Sequence, residues 1–83
     1  MILYFVDYDL RGQRDYKDLY AALEKLNAIR FLESSWCFKR SNTTAEQVRD
    51  YLKQHIDSTD GVMVSSVSDW ACVGTLGSPN KLL

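Results

Sequence analysis

A nearly continuous hydrophobic stretch opens the chain at 2–10 (ILYFVDYDL), and its only charged residues are two aspartates near its end. β-Branched, aromatic and leucine side chains dominate it, and a polar loop with a glycine follows, so the pattern predicts a strand. Side chains of a strand alternate between its two faces, which places Asp7 and Asp9 on the same face as Leu3 and Phe5. Because both faces are largely apolar, the pattern indicates a central strand covered on both sides.

Two later segments change to helical spacing. Leucines and tyrosines at intervals of three and four residues predict a first helix from about Tyr16 to Asn27, with Asp15 as its N-cap and Asn27 as its stop. Two overlapping capping-box patterns precede the second helix. We expect that helix to start within one residue of Thr44 and to end before Ser58.

Further strands are predicted between and after the helices. Ile29–Leu32 and Ser35–Lys39 are joined by a tight turn or a pronounced bulge, and Val62–Val67 follows the second helix. Segment 69–77 (DWACVGTLG) forms a short final strand or an extended arm. Glycines and a proline argue against a last helix, so 77–83 is expected to be a flexible tail whose final leucines could dock on a partner.

The resulting order is strand, helix, strand, strand, helix, strand, in one domain over 1–83. It predicts an α+β, ferredoxin-like βαββαβ sandwich with an antiparallel sheet, both helices on one face, and an extra C-terminal strand or arm. The other face of the sheet is then bare in a single chain. We therefore expect a symmetric homodimer packed sheet to sheet, with the arm added to the edge of the partner's sheet.

Composition narrows the class of protein. A hydrophobic content of 46% with 25% charged residues is typical of a folded domain, and no apolar run approaches the roughly 20 residues of a membrane span. We expect a cytoplasmic protein without a membrane partner. The net charge of −1 and the pI of about 5.7 lack the positive field of most nucleic-acid binders, although a local basic patch or a bridging metal ion still permits binding.

Cys37 and Cys72 lie far apart and form neither a metal-ligand spacing nor a disulfide framework. We expect both to be buried, reduced thiols, and the sequence leaves open whether they meet in the fold.

The two aspartates at the end of the first strand are the main candidates for chemistry. Asp7 and Asp9 lie about 7 Å apart along one face, which is too sparse a set to hold a divalent ion. Together with their copies across a two-fold axis they could bind Mg²⁺ or Mn²⁺ and activate water for phosphodiester hydrolysis, with Asp9 as the metal ligand. The structural alternative is that Asp9 caps the turn or pairs with Arg11 or Arg14, and that Asp7 pairs with a base from another strand.

Basic residues next to these aspartates are candidates for nucleic-acid binding. These residues are Arg11, Arg14 and Lys17. They either contact phosphates or are simply solvent-exposed residues of a loop and a helix start. His55 is the only histidine, and a position near the end of the second helix explains it without catalysis. Ser35 lacks a neighbouring base, which favours a role in the bulge over one as a nucleophile. Aromatic residues could stack on bases, but packing is the favoured role for Tyr4, Tyr8, Trp36 and Trp70.

Three short motifs carry a resemblance to a known group. VDYDL at the end of the first strand, LESSW in the middle hairpin and DWACVG near the end resemble the SinR-like small proteins. Those are relatives of the second CRISPR-associated protein family and of virulence-associated protein D. The resemblance implies a ferredoxin-like homodimer with Asp9, which follows Tyr8, near the dimer axis. It also implies metal-dependent nuclease activity in some members, a structural dimer that holds DNA in others, and ribonuclease activity in the virulence-associated branch.

Two hypotheses for function follow. The first is a nucleic-acid-associated protein with metal-dependent nuclease activity on RNA or DNA at Asp9, assisted by Asp7 and the nearby arginines. The second is a catalytically inactive dimer that binds a protein partner. Only Arg11 and Arg14 follow the first strand, where the CRISPR-associated pattern has a dense run of arginines, so a role in spacer acquisition is not expected.

Overall fold

The four strands and two α-helices follow one another in the order that the sequence predicts. The computed structural model describes residues 1–82, and within them no helix is long and apolar enough to cross a bilayer. The elements are β1 (Ile2–Asp9), α1 (Lys17–Lys25), β2 (Ile29–Leu32), β3 (Ser35–Arg40), α2 (Ala45–Lys53), β4 (Gly61–Val67) and a final 3₁₀ turn (Pro79–Leu82).

The sheet has the strand order β2-β3-β1-β4, and every neighbouring pair is antiparallel. β1 therefore lies inside the sheet, as its two apolar faces predict. Ile2 pairs with Arg40 and Asp7 with Ser35 along β3. This α+β topology is that of the ferredoxin-like fold, which confirms the predicted fold class.

Both helices pack on the same face of the sheet. The even positions of β1, including Tyr4 and Val6, contribute to one buried cluster, together with Phe38 of β3, Leu23 of α1 and Leu52 of α2. Each of these five side chains is at most 1% exposed, so they are fully removed from water. Burial of apolar surface of this kind is the main favourable contribution to folding.

α1 begins one residue later than predicted and ends at Lys25, two residues before Asn27, the predicted stop. Asn27 has φ 58°, and the amides of Asn27 and Ala28 donate to the carbonyls of Glu24 and Leu23 at 2.9 and 3.1 Å, which is a Schellman motif. The N-cap is Tyr16, so the assignment of Asp15 was wrong by one residue. The Asp15 carboxylate nevertheless accepts from the amide of Lys17, the first helical residue, at 2.9 Å.

A capping box starts α2 at Thr44, as predicted. The Thr44 hydroxyl accepts from the amide of Gln47 at 3.1 Å, and the Gln47 side chain accepts from the amide of Thr44 at 3.0 Å. The hydroxyl of Thr43 donates to the same side-chain oxygen at 3.1 Å. Of the two overlapping patterns, the one that starts at Thr44 is therefore the cap, and Thr43 supports it.

The hairpin between β2 and β3 contains both features that the sequence left open. Glu33 and Ser34 form a tight turn, and the pairing register shifts between Arg30 and Leu32, which marks a bulge. The Arg30 guanidinium donates to the Glu33 carbonyl at 2.8 Å through Nε, and its carbon lies 5.2 Å from the centre of the Tyr20 ring. The turn is thus closed by a side chain that also stacks on α1.

The face of the sheet away from the helices is not bare, in contrast to the prediction. A second cluster around Leu3 and Cys37 is covered by Trp70 and Leu82 from the C-terminal segment, 68–82. The amide of Leu76 donates to the carbonyl of Phe31 at 2.9 Å. The segment therefore takes the form of an arm that lies on its own sheet. No strand forms in 68–82, so the alternative of a short final strand was wrong.

The arm ends in the 3₁₀ turn Pro79–Leu82, although the sequence argued against a last helix. Proline is compatible with the first position of a helical turn because its missing N–H has no intrahelical partner there. Pro79 is buried. Flexibility of the tail from about 77 stays a prediction, and Leu83 lies outside the described residues.

The two cysteines are free thiols in different surroundings. Cys37 is buried, as predicted, whereas Cys72 is exposed on the arm, so its predicted burial was wrong. Burial, with a contribution from the charge of Cys72, raises the pKa of the Cys37 thiol to about 11. Cys37 is therefore a packing residue that is protonated at neutral pH.

Candidate functional site

The aspartates of β1 lie on the half of the open face that the arm leaves uncovered. Asp7 sits in a row across the sheet between Ser35 of β3 and Met63 of β4, and Asp9 pairs with Gly61. Both aspartates are exposed, and they line one shallow groove with the start of β4. The structure thus confirms that the period of two brings the carboxylates to one face.

Asp7 is held by a hydroxyl and not by a base. The Ser35 hydroxyl donates to Oδ1 of Asp7 at 2.5 Å, and Ser35 is only 7% exposed. The expected alternative, a basic partner from another strand, is not what the structure has. Ser35 lies at the start of β3, directly after the hairpin turn, and it orients Asp7 while leaving the second carboxylate oxygen available.

Asp9 has an ionic partner at the surface. Nε of Arg11 lies 3.0 Å from Oδ2 of Asp9, and the side chains are 59% and 71% exposed, respectively. An ion pair this exposed contributes about 0–1 kcal/mol. Arg11 also donates to the carbonyl of Thr59 at 3.0 Å. Asp9 therefore pairs with Arg11, as the structural alternative expected. The contact is weak enough for a competing cation to replace it.

Arg14 and Lys17 also stand beside carboxylates. Arg14 lies 3.4 Å from Asp57 and 3.6 Å from Asp18. Lys17 lies 3.9 Å from Asp15. All three basic residues predicted to bind nucleic acid, Arg11 included, thus have an acidic neighbour that offsets their charge.

Asp60 is a positioning residue that sequence reasoning missed. Its carboxylate accepts from the amide of Arg11 at 2.6 Å, of Gly12 at 2.9 Å and of Asp57 at 2.8 Å, and from the Tyr16 hydroxyl at 2.8 Å. Burial opposes ionisation, but the three backbone amides and the tyrosine hydroxyl outweigh it and lower the pKa of Asp60 to about 2. This one side chain joins the loop after β1 to the loop before β4.

Tyr16 and Gly12 complete this contact between loops. Burial and the neighbouring Asp60 carboxylate raise the pKa of the Tyr16 hydroxyl. A Cβ atom on Gly12 would lie 1.9 Å from Oδ2 of Asp57, so a larger residue there would require the Asp57 side chain to move. The turn-type sequence Ser-Thr-Asp-Gly at 58–61 was a signal for a loop, but it does not reveal that Asp60 reaches a segment more than 40 residues away.

Residues 1–82 of one chain do not supply a metal site by themselves. Among residues 1–82, no group of three or more His, Cys, Asp or Glu side chains is placed to hold an ion. Carboxylates are the ligands that Mg²⁺ and Mn²⁺ prefer. Asp7 and Asp9 therefore fit a metal site in chemistry and in exposure, but the number of ligands is sufficient only if a second chain adds its own pair.

The remaining candidates have packing contacts of their own. His55 follows the end of α2 and packs edge-on against Tyr51, with ring centres 5.4 Å apart. The indole of Trp36 is buried and donates to the Tyr8 hydroxyl at 3.1 Å, which supports the predicted packing role. Burial, opposed by this hydrogen bond, raises the pKa of the Tyr8 hydroxyl.

Fold and site together define a class: a small ferredoxin-like α+β domain whose first strand ends in exposed carboxylates. Comparison with known proteins gives the family. The chain belongs to the CRISPR associated protein Cas2 family, whose family model matches residues 1–73. This match covers every strand and both α-helices and ends within the arm. No solved structure matches the chain.

Proposed function

We propose that this member of the Cas2 family acts as a homodimer on nucleic acid, as a nuclease that depends on Mg²⁺ or Mn²⁺. The observation that carries the proposal is the exposure of Asp7 and Asp9 side by side on the uncovered half of the sheet. In this proposal Asp9 binds the metal ion and Asp7 assists it. The ion, when bound, supplies a Lewis acid and lowers the pKa of a bound water.

The uncovered half of the face also supports the proposed dimer. Leu32, Ser35, Asp7 and Met63 form a row across the four strands, and the hydrophobic residues at its ends are 46% and 65% exposed. A second copy laid on this row would bury both of them. It would also bring aspartates together, and like charges at close range repel unless a cation or a proton offsets them.

Other residues of the site then act on Asp7 and Asp9 or on the phosphate. The Ser35 hydroxyl fixes one oxygen of Asp7, and the other oxygen would be free to help hold the ion. Arg11 would give up its contact with Asp9 to such an ion, because the pair is exposed and weak. Its guanidinium is then available to a phosphate group of the substrate.

The finer resemblance to SinR-like proteins and to virulence-associated protein D extends the proposal to the substrate. We infer that RNA and DNA phosphodiesters are both candidates. Only Arg11 and Arg14 follow β1, so we do not extend the proposal to spacer acquisition.

A catalytically inactive dimer that binds a protein partner is the second candidate. The observation that favours it is the pairing of Arg11, Arg14 and Lys17 with carboxylates, which leaves little positive charge beside Asp9. A protein partner needs no such charge.

The two candidates are separated by titrating Mg²⁺ and Mn²⁺ against RNA and DNA substrates with the native protein and Asp9→Asn. Asp69→Asn is the matched control, since it removes the same charge from an exposed position outside β1. We expect cleavage by the native protein and the control only. Equal cleavage by Asp9→Asn would point to contamination or another site. If the native protein neither cleaves nor binds nucleic acid at low salt, the inactive dimer is the candidate that stands.

Light scattering at micromolar concentration tests the dimer separately. We expect twice the mass of the 83-residue chain. A monomeric mass would contradict the shared metal site, because residues 1–82 of one chain do not bring enough ligands together.

A further inference from the structure

A second charged surface lies at the other end of the sheet from Asp9. Two adjoining depressions there share Leu26 and Arg40, and they are formed by the end of α1, the end of β3 and the start of α2. We call this surface the basic groove and define it by the residues that the argument uses: Lys25, Leu26, Lys39, Arg40, Thr43 and Gln47. Arg40 pairs with Ile2 at the start of β1, seven residues from Asp9 and so roughly 23 Å away along the strand.

The charge of the basic groove is not offset by its surroundings. Lys25, Lys39 and Arg40 line it, and no Asp or Glu side chain lines either depression. Within residues 1–82, every ion pair involves other basic residues: Arg11, Arg14, Lys17 and Arg49. On a chain with a net charge of −1, the groove therefore concentrates positive charge that the predicted site beside Asp9 lacks.

Neutral groups in the basic groove add donors. The side-chain oxygen of Gln47 is occupied by the amide of Thr44 and the hydroxyl of Thr43, which turns the side-chain NH₂ of Gln47 toward other acceptors.

We propose that the basic groove binds the phosphate backbone of a nucleic-acid strand. Lys, Arg and Gln are side chains that commonly contact phosphate oxygens. The cations extend over two adjoining depressions that Arg40 joins, which suits a strand with successive phosphates better than a single small anion. The class of ligand follows from the proposed association with nucleic acid, but the surface is separate from Asp9 and does not require a metal ion.

Binding experiments in EDTA, which removes divalent metal ions, measure the affinity of the basic groove without cleavage. Fluorescence anisotropy of single-stranded RNA and DNA oligonucleotides, titrated over a range of salt concentrations, compares two triple variants. One is Lys25→Gln/Lys39→Gln/Arg40→Gln in the groove. The other is Arg11→Gln/Arg14→Gln/Lys17→Gln beside Asp9, which changes the net charge by the same amount. Circular dichroism and thermal unfolding verify that both triples fold.

We expect the groove triple to weaken binding at least tenfold at low salt and to make the plot of log K against log salt shallower by about 2, since three phosphate contacts to a single strand contribute about 0.7 each. The triple beside Asp9 is expected to change both quantities less. Millimolar inorganic phosphate should displace the strand only weakly.

Three outcomes would each overturn the proposal that the basic groove binds nucleic acid. They are an equal or larger loss of affinity in the triple variant beside Asp9, unaltered binding by the groove triple, and no binding by the native protein. These outcomes are distinct from failure of the proposed nuclease. Binding through the groove without any metal-dependent cleavage would retain the groove and reject the nuclease. Cleavage that depends on Asp9, with normal binding by the groove triple, would support the nuclease and reject the role of the groove.

Discussion

The hydroxyl of Tyr16 lies 2.8 Å from both carboxylate oxygens of Asp60, and this contact joins two loops that are 44 residues apart in sequence. Arg11 follows the end of β1 by two residues and takes part in the same contact, because its amide donates to the Asp60 carboxylate. The end of β1 that carries Asp9 is therefore anchored from the loop before β4. Residues that touch neither a substrate nor an ion thus set the position of the candidate site.

Asp60→Asn is expected to lower the free energy of unfolding at pH 7, because a neutral amide side chain cannot accept from the same set of donors. The pKa of Asp60 is about 2 in the folded state, below its ordinary value of 3.8. Its contribution is therefore present above pH 4 and is lost as the pH falls through about 2. The difference between the native protein and Asp60→Asn should narrow over that interval in urea unfolding.

Asp69→Asn serves as the control for this titration, since Asp69 is exposed. We expect it to change the stability at pH 7 by less than about 0.5 kcal/mol. A constant difference between the native protein and Asp60→Asn from pH 7 to pH 2 would contradict the low pKa.

Tyr8→Phe is expected to destabilise the fold by about 1–3 kcal/mol, because it leaves a buried donor without a partner. The donor is the indole N–H of Trp36, which lies 3.1 Å from the Tyr8 hydroxyl. Tyr51→Phe removes a hydroxyl from a half-buried ring on α2 and should change stability by less than about 0.5 kcal/mol. Chemical denaturation measures both, and equal effects would argue against the buried hydrogen bond.

Thr44→Ala should cost about 1 kcal/mol through loss of the cap that starts α2. Its hydroxyl is the acceptor for the amide of Gln47, whereas the Thr43 hydroxyl only donates to the side chain of Gln47. Thr43→Ala is therefore expected to have the smaller effect in the same denaturation experiment. The opposite ranking would move the cap to Thr43.

Iodoacetamide at pH 8 should modify Cys72 in the native protein and spare Cys37. Cys72 is exposed, while Cys37 is buried and its pKa is raised to about 11, so little thiolate forms. Mass spectrometry should find one adduct in native protein and two in denaturant. Cys72→Ser should give no native adduct, and labelling of Cys37 at a rate similar to that of Cys72 would show that the second cluster opens readily.

Local patterns were enough to predict most of the fold. The alternation in β1, the capping residues around Thr44 and the stop at Asn27 depend on neighbours within a few positions, so the sequence displays them directly. The order of elements then restricts the topology to few arrangements. Asp7 and Asp9 were placed on one face by the same reasoning.

Longer-range contacts were not predictable. Asp60 resembles an ordinary turn residue, and its partners at Arg11 and Gly12 come into reach only after both loops are folded. The sequence of the arm does not show whether its apolar residues pack on their own sheet or on a partner. Trp70 and Leu82 nevertheless cover the second cluster of the same chain.

The alternation along β1 gives its two aspartates a structural consequence that does not depend on catalysis. If β1 slipped by one residue against its neighbours, Asp7 and Asp9 would turn under the helices, and Tyr4, Val6 and Tyr8 would face outward. Burying two carboxylates without partners is far more costly than exposing them. In a strand that is otherwise apolar on both faces, these charges specify which way round the strand is inserted in the sheet.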